Sequence, residues 1–571
     1  MFQVDRDVVN SHALVIDGNP MSRSVMSQHL RDFGFGSVKA VSRVIEAREI
    51  MERRRFDVVI CDLHFDHSNE SGQELLEELR REQMLPYSTV FIMVTGEATY
   101  QKVAEAAEAA LDSYLIKPFS ANTLFDRLKE ARQRKRVLKD IFDAIEAGDN
   151  DHAATLCLQR FEVRGQYWLY AARIGAELLL TLQRNDEAMA LYNAVVEAKA
   201  VPWAKLGLGR VHLAKGDLQQ ARRTLETLCE DQPQYADSYD VLAKVQMEQG
   251  NIDQALATYR MAAEITPGCI LRLQHCGTLA FYGGDAATGI KMLDRTWAIG
   301  SRSRLFDVLS MMLLAFLRFD AVDSKALGVT CEVLFKFSSS FPGSLRLRRM
   351  AETGRILAGL RAGQVAPNVH LARGLVAQIN QPEMDMEGAT NLLSLWSRLD
   401  EFGVEKDELK DVVTRVAKRY SASKAATQVL AAAVRRQPEA PGWIRNAQAE
   451  IMAIAEKAMN EALKGSPTEA VELLLLYGAE TGNAKLIDMA SAVAQRHGDR
   501  IDNVDVLRHK AKDLAKRYCG VVSHIAGVRR SNRSAGSLAL RQTTPAAGPA
   551  VNQPAGAGAA SAAMPMAAAV A

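Results

Sequence analysis

A 34-residue period in the middle of the chain narrows the possible folds more than any other feature. Leu208, Gly209, Gly216, Asp217, Ala221, Leu225 and Pro233 return as Leu242, Ala243, Gly250, Asn251, Ala255, Tyr259 and Pro267. A third copy carries Cys276, Gly277, Gly284, Asp285, Gly289 and Leu293, and looser copies are marked by Gly148-Asp149 with Ala153 and by Ala188 with Tyr192. Self-similarity of this length means stacked supersecondary units. Small residues such as Gly209, Ala221, Ala243 and Ala255 let two helices approach closely, Gly216 and Gly250 permit the turn between them, and Pro233 and Pro267 stop the second helix. One helix pair cannot bury its apolar face alone. The pairs must therefore stack into a curved solenoid whose concave surface is lined by the first helix of each repeat.

These residues at this period resemble the tetratricopeptide repeat, with about five copies expected over residues 133–302. The resemblance implies a groove that takes an extended peptide or helix of a protein partner. In the family register the groove-facing positions are Leu206, Arg210 and Leu213, then Asp240, Lys244 and Met247, then Gln274, Thr278 and Phe281. Arg210, Lys244 and Gln274 are the candidate peptide-binding residues, and the two cations could meet an acidic segment.

From 303 to 528 the Leu/Ala/Arg-rich amphipathic pattern continues while the clean period fades, so degenerate repeats or a helical bundle both fit. From about 529 the chain turns to Arg-Arg-Ser-Asn-Arg-Ser and then Ala, Gly, Pro and Gln, which cannot bury enough apolar surface to offset ordering entropy; that tail is expected to be disordered. The segment Arg132 to Lys139, with five basic residues and no acid, reads as a solvated joint between units.

Residues 10–130 have a different rhythm. Ala13 to Ile16, Phe56 to Cys61, Thr89 to Val94 and Ser113 to Ile116 read as strands, with a weaker one near Val38 and helical stretches between them. Such alternation implies a parallel sheet with helices on both faces, and ligands collect beyond the carboxyl ends of its strands. Asp17, Asp62, Thr95 and Lys117 each stand at one of those ends.

This ordered set, with Tyr114-Leu-Ile-Lys117-Pro118-Phe119, closely resembles the receiver domain of two-component response regulators. The fold implied is an α/β, flavodoxin-like five-stranded parallel sheet, followed by the all-α repeat solenoid and the tail. The resemblance implies that Asp62 accepts a phosphoryl group from a histidine kinase or phosphotransfer protein, that Lys117 pairs with that group, that Thr95 hydrogen-bonds it and that Tyr114 turns inward as Thr95 moves. Mg²⁺ would be held by Asp17, Asp62 and the backbone carbonyl of His64.

Two departures from the family bear on this site. The fragment Ile16-Asp17-Gly18-Asn19-Pro20, with Arg23 setting the register, has Gly18 where the family has a second acid, so Mg²⁺ binding should be weaker. The loop after Asp62 runs Leu-His-Phe-Asp-His-Ser-Asn-Glu-Ser-Gly72, lacks the family's Met-Pro pair, is two residues longer, and carries Asp66 as a partial replacement for the lost acid. His64 and His67 beside Asp62 and Asp66 also admit a transition-metal cluster, which a polar loop produces by chance more often than by function.

Composition excludes more than it names. Lys+Arg 70 against Asp+Glu 68 is not the basic balance of a phosphate-binding chain, and no apolar run approaches a membrane span. The start, with Asp5, Arg6 and Asp7, does not read as a secretory signal, and the seven cysteines are scattered; a cytoplasmic protein with reduced thiols is expected. No glycine-rich phosphate loop, HExxH or GxSxG motif supports an enzymatic output, and no short terminal helix-turn-helix unit supports a DNA-binding one. Two readings lead, a phosphorelay response regulator signalling through protein–protein contact and a pseudo-receiver scaffold that is never phosphorylated, with a DNA-binding regulator as the third.

Overall fold

The computed structural model describes residues 8–65, 72–81, 84–96, 113–301, 303 and 305–519. Asp66, His67 and the tail from 529 lie outside the described residues.

The N-terminal unit runs β1 (His12–Ile16), α1 (Pro20–Asp32), β2 (Ser37–Val41), α2 (Val44–Arg53), β3 (Val58–Asp62), α3 (Gly72–Arg81), β4 (Val90–Thr95), β5 (Ser113–Ile116) and α4 (Ala121–Val137). The strands form one parallel sheet in the order β2-β1-β3-β4-β5, with Ala13 beside both Val38 and Val58, Val58 beside Val90, and Met93 beside Tyr114. Alternate residues bury opposite ways, as a period of two demands. Leu14, Ile16, Val59, Cys61, Phe91 and Met93 pack with Ala47 and Leu76 on one face, while Ala13, Val15, Ile60, Ile92 and Val94 pack with Leu30, Leu124 and Leu128 on the other. Both faces of the sheet are therefore core, which is why these strands are apolar runs rather than alternating ones.

All-helical structure follows: α5 (Lys139–Glu146), α6 (Asn150–Glu162), α7 (Trp168–Thr181), α8 (Asn185–Ala198), α9 (Pro202–Lys215), α10 (Leu218–Asp231), α11 (Ala236–Glu248), α12 (Ile252–Ile265), α13 (Ile270–Gly283) and α14 (Ala286–Gly300). Gly216, Gly250 and Gly284 occupy equivalent turns with φ of +80°, +79° and +83°, a backbone region that penalises any side chain. Close helix approach also repeats: a Cβ on Gly209 would lie 2.7 Å from Leu225, and one on Gly277 would lie 2.6 Å from Leu293.

The pattern continues through α15 (Leu309–Asp320), α16 (Ser324–Ser340), α17 (Leu345–Arg361) and α18 (Val365–Val376), and then α19 (Met386–Trp396), α20 (Lys406–Tyr420) and α21 (Lys424–Ala433). Here the chain doubles back onto its own repeats. Met247 and Phe281 share one apolar cluster with Val429 and Leu430 of α21, Arg435 donates to the carbonyl of Tyr282 at 3.1 Å, and a Cβ on Gly250 would lie 3.1 Å from Gln428. Over α11 and α13 the expected groove is thus covered by the chain itself. The last helices, α22 (Ala440–Lys464), α23 (Pro467–Thr481), α24 (Ala484–Arg496) and α25 (Val504–Tyr518), form a further apolar cluster from Ile451 onward, while Ala440, Ile444 and Ala447 of α22 pack in the preceding one.

Buried arginine–carboxylate pairs tie successive units together: Arg210 with Glu177, Arg272 with Asp237 and Asp240 at 2.9 Å each, Arg346 with Asp307 and Glu387, and Arg398 with Asp320 at 2.6 Å. Substituting Arg272 by Met strands two largely buried carboxylates. A loss of about 3–5 kcal/mol is expected, read as a lower unfolding temperature of the full chain, whereas the exposed Arg223 should tolerate the same change.

Candidate functional site

In a parallel sheet all carboxyl ends open on one edge, so β1, β3, β4 and β5 deliver their terminal residues to a common place. Asp62 and Thr95 are the last residues of β3 and β4, Asp17 follows β1, and Lys117 follows β5. Asp17, Asp62 and Lys117 are directly bonded: the Lys117 ammonium donates to Asp17 Oδ2 at 2.7 Å and to Asp62 Oδ2 at 2.6 Å. Thr95, fully buried, is joined to them through its carbonyl, which accepts the Lys117 backbone N–H at 2.7 Å. The Lys117–Pro118 bond is cis. Tyr114 sits on β5 beside Met93, partly buried against the core.

The rest of the pocket is held by the turn into α1. Asn19 caps that helix, its side chain accepting from Met21 and Ser22 N–H, with Pro20 in the first turn. Asp17 Oδ1 accepts the Asn19 N–H and Oδ2 accepts the Ser22 hydroxyl, both at 2.7 Å, while Arg23 donates to the Asp17 carbonyl at 2.6 Å. Ser22 and Asn19 were not among the expected site residues; the Asn-Pro start of the helix is the signal that could have found them. His64 presents its N–H to Asp62 Oδ1 at 3.3 Å. Gly72 is required by close approach, since a Cβ there would collide with the Asp62 carbonyl oxygen.

Two acids thus share one cation in a largely enclosed pocket. Burial pushes the Asp62 carboxyl above the usual range, and Asp17 adds to that, against the hydrogen bond and charge of Lys117. Burial pulls the Lys117 ammonium down, but the bonds to both carboxylates outweigh it and the group lies above an ordinary lysine. Asp62 keeps a small opening, with 13% of its side chain exposed.

The donor chemistry, hard carboxylate oxygens and no soft ligand, fits Mg²⁺. The set is short by one acid: among the described residues no three His, Cys, Asp or Glu side chains gather as a metal site. Position 18 is not sterically closed. A Cβ on Gly18 would meet Phe65 at 3.8 Å, an ordinary contact, so the missing carboxylate is a chemical departure rather than a packing one.

The response regulator receiver domain model matches residues 13–129, the unit just described. The chain belongs to the response regulator receiver family. The tetratricopeptide repeat model matches residues 179–244 and 213–274. Chemotaxis protein CheY-3 of Vibrio cholerae serotype O1 is 30% identical over 125 residues, covering 22% of this chain and 94% of that protein. Chemotaxis protein CheY of Pseudomonas aeruginosa is 28% identical over 121 residues, covering 21% of this chain and 95% of that protein. A solved structure of the chemotaxis response regulator CheY4 of Vibrio cholerae is 26% identical, covers 21% of this chain and 98% of its own, and gives a TM-score of 0.20. Neither the receiver nor the repeat is a catalytic family. Receiver domains exchange phosphoryl groups with kinases or phosphotransfer proteins and generally bind Mg²⁺, and tetratricopeptide repeats bind proteins. Among the described residues no helix is long and apolar enough to cross a membrane.

On the repeats, the expected groove residues divide. Gln274 is buried, its amide donating to the Leu305 carbonyl and accepting the Asp307 N–H, so it anchors the entry to α15 instead of facing a ligand. Thr278 is buried too, and Leu206 and Leu213 pack between helices with Leu225 and Val241. Arg210 is engaged by Glu177 on the neighbouring α7. Lys244, the third candidate, makes no hydrogen bond or ion pair among the described residues, with Asp240 and Asp237 near enough to act on its charge.

Two outcomes follow for the receiver site. Gly18→Asp should raise Mg²⁺ affinity about tenfold or more by adding a third acid, measured by isothermal titration calorimetry. Because folding raises the Asp62 pKa, the ionised form costs stability that is absent below the ordinary value of 3.8 and grows as pH rises through the raised value. Asp62→Asn should therefore unfold at a higher temperature than the parent at pH 7, with the difference shrinking as pH falls toward 3.8.

Proposed function

We propose that this response regulator accepts a phosphoryl group on Asp62 from the phosphohistidine of a histidine kinase or phosphotransfer protein, and that its repeat array passes the signal on by protein–protein contact. The Lys117 ammonium shared by Asp17 and Asp62 is the observation that carries this reading. Lys117 holds Oδ2 of Asp62, leaving Oδ1, with only the longer His64 contact, as the attacking oxygen. The bond formed joins Oδ1 to phosphorus, the phosphorus–nitrogen bond of the donor breaks, and the donor imidazole leaves. Lys117 then faces the new phosphoryl charge, and Thr95, tied to Lys117 by its carbonyl, is the residue that responds. Asp17 and Asp62, with the His64 carbonyl, would hold Mg²⁺, which supplies charge neutralisation during transfer.

The functional units proposed are 10–130 for reception, 133–302 for the repeats and 303–528 for the helices that complete the array, in a cytoplasmic protein. The route between them is short. β4 leads from the pocket back to Tyr87, and α4 leads from Lys117 forward to Lys135. There Lys135, buried, donates to the Tyr87 carbonyl at 2.6 Å and lies 4.8 Å from the centre of the Phe142 ring. The Tyr87 N–H donates to Glu146 at 2.9 Å, and its ring stacks on Phe142. Phe142 and Glu146 belong to α5, separated from α4 by Leu138 alone. Both elements that end in the pocket are thus fastened at their far ends to the first helix of the array.

Gly18 favours one second reading, a receiver-shaped scaffold that is never phosphorylated. Incubation with acetyl phosphate and Mg²⁺ separates the two: a base-labile phosphate found on the parent chain and missing from Asp62→Asn is expected, and an unlabelled parent chain supports the scaffold.

A further inference from the structure

The near balance of charge over the whole chain conceals one segment where the charges part. From Val506 to Arg533 eight cations stand against one acid, Asp513, so the rest of the chain is net negative, and from Leu514 onward no Asp or Glu occurs. The first part of this segment is α25, and its packing decides which side chains are free. Val504, Leu507, Ala511 and Leu514, at helical spacing, lie in the last apolar cluster, so the opposite face looks outward. Lys510, Lys512, Lys516 and Arg517 are exposed there, and among the described residues the three lysines make no ion pair. Asp513 lies 3.4 Å from the His509 imidazole, Asp505 stands in the first turn, where it complements the positive end of the helix, and Glu383 borders Lys516 and Arg517.

The row of cations continues in the sequence as Arg529, Arg530, Arg533 and Arg541, interspersed with Ser, Asn and Gln. These side chains are all donors to phosphate oxygens. A bilayer surface would need an apolar stripe beside the charges, but α25 has spent its own on packing and leaves only Val506 exposed. An acidic protein patch is compact, whereas these cations run in a line from Arg508 to Arg541. A nucleic acid matches that shape, since it carries one negative charge for about every 1.7 Å of duplex axis and releases a counterion for each phosphate neutralised.

We propose that α25, with the basic run that follows it, binds the phosphate backbone of a nucleic acid without reading its sequence. The site is separate from the receiver pocket, and its occupation does not depend on phosphorylation of Asp62. It also explains how a chain of nearly balanced charge can hold a polyanion: the acids lie elsewhere, and the field at α25 is set by its own neighbours.

The test uses the full chain and fluorescent probes of about 20 nucleotides in two unrelated sequences, each as single-stranded RNA and as duplex DNA, read by anisotropy between about 50 and 200 mM salt. Both sequences should bind alike, with affinity falling log-linearly in salt, and the tighter of the two backbones names the source. The combined change Lys510→Gln, Lys512→Gln and Lys516→Gln should weaken binding about tenfold or more and flatten the single-strand salt slope by about two. Removing the same charge at the exposed Lys129, Arg223 and Lys291 should leave both unchanged. All six side chains are on the surface, so both variants should unfold at the parent temperature. A parent chain that binds neither backbone, or equal losses in the two variants, overturns the site. A strong preference for one sequence overturns the backbone reading. Tighter binding of poly-glutamate, or of phosphatidylserine vesicles, than of either nucleic acid overturns the choice of partner.

Discussion

One ammonium between two carboxylates is the interaction that holds the strand ends of the receiver sheet together as one site. Lys117 can reach Asp17 and Asp62 together only because the sheet is parallel and its strand ends share an edge, and because the turn after β5 directs the chain back toward β3. The pair of acids is not fully neutralised, which is why burial leaves Asp62 above its ordinary range. A pocket in that state is receptive to further positive charge. Without Lys117 two acids would face each other across a low-dielectric space with nothing between them.

The helical part is organised by the same economy of charge. A carboxylate of one helix pair meets an arginine of the next at three levels of the stack, at Arg210, Arg272 and Arg346. The final pairing, Asp320 with Arg398 and Arg436, joins residues 78 and 116 positions apart and closes the array upon itself. A solenoid that would otherwise present a long open groove is shortened to its first few helices.

Much of this was legible in the sequence. The strand ends were recognisable because functional side chains in an open parallel sheet must stand there; Ser113–Ile116 was placed to the residue, whereas β3 and β4 run one residue further than expected and take Asp62 and Thr95 into the strands themselves. The repeat turns were recognisable because only glycine is at ease at φ near +80°, and Gly216, Gly250 and Gly284 recur at the period. The loss of Gln274 and Thr278 from the groove was not legible, because it depends on where α15 and α21 come to rest, and no local pattern encodes an approach between residues 150 apart. Nor was the fastening at Tyr87: a single tyrosine before a strand carries no signal until Lys135, Phe142 and Glu146 are brought to it. The basic run around Lys135 reads as solvated by composition, yet Lys135 itself is buried by that contact.

The pocket around Asp62 and the array are joined through β4, α4 and the Tyr87–Lys135–Glu146 contact, and the proposed function requires that this joint carry a change from one to the other. Hydrogen exchange of the full chain, followed by mass spectrometry with and without acetyl phosphate and Mg²⁺, tests it most directly. Altered protection across residues 84–90 and 138–146, in addition to the strand ends, is the result expected. Changes confined to the strand ends, with the Tyr87 segment and α5 exchanging as before, would contradict it.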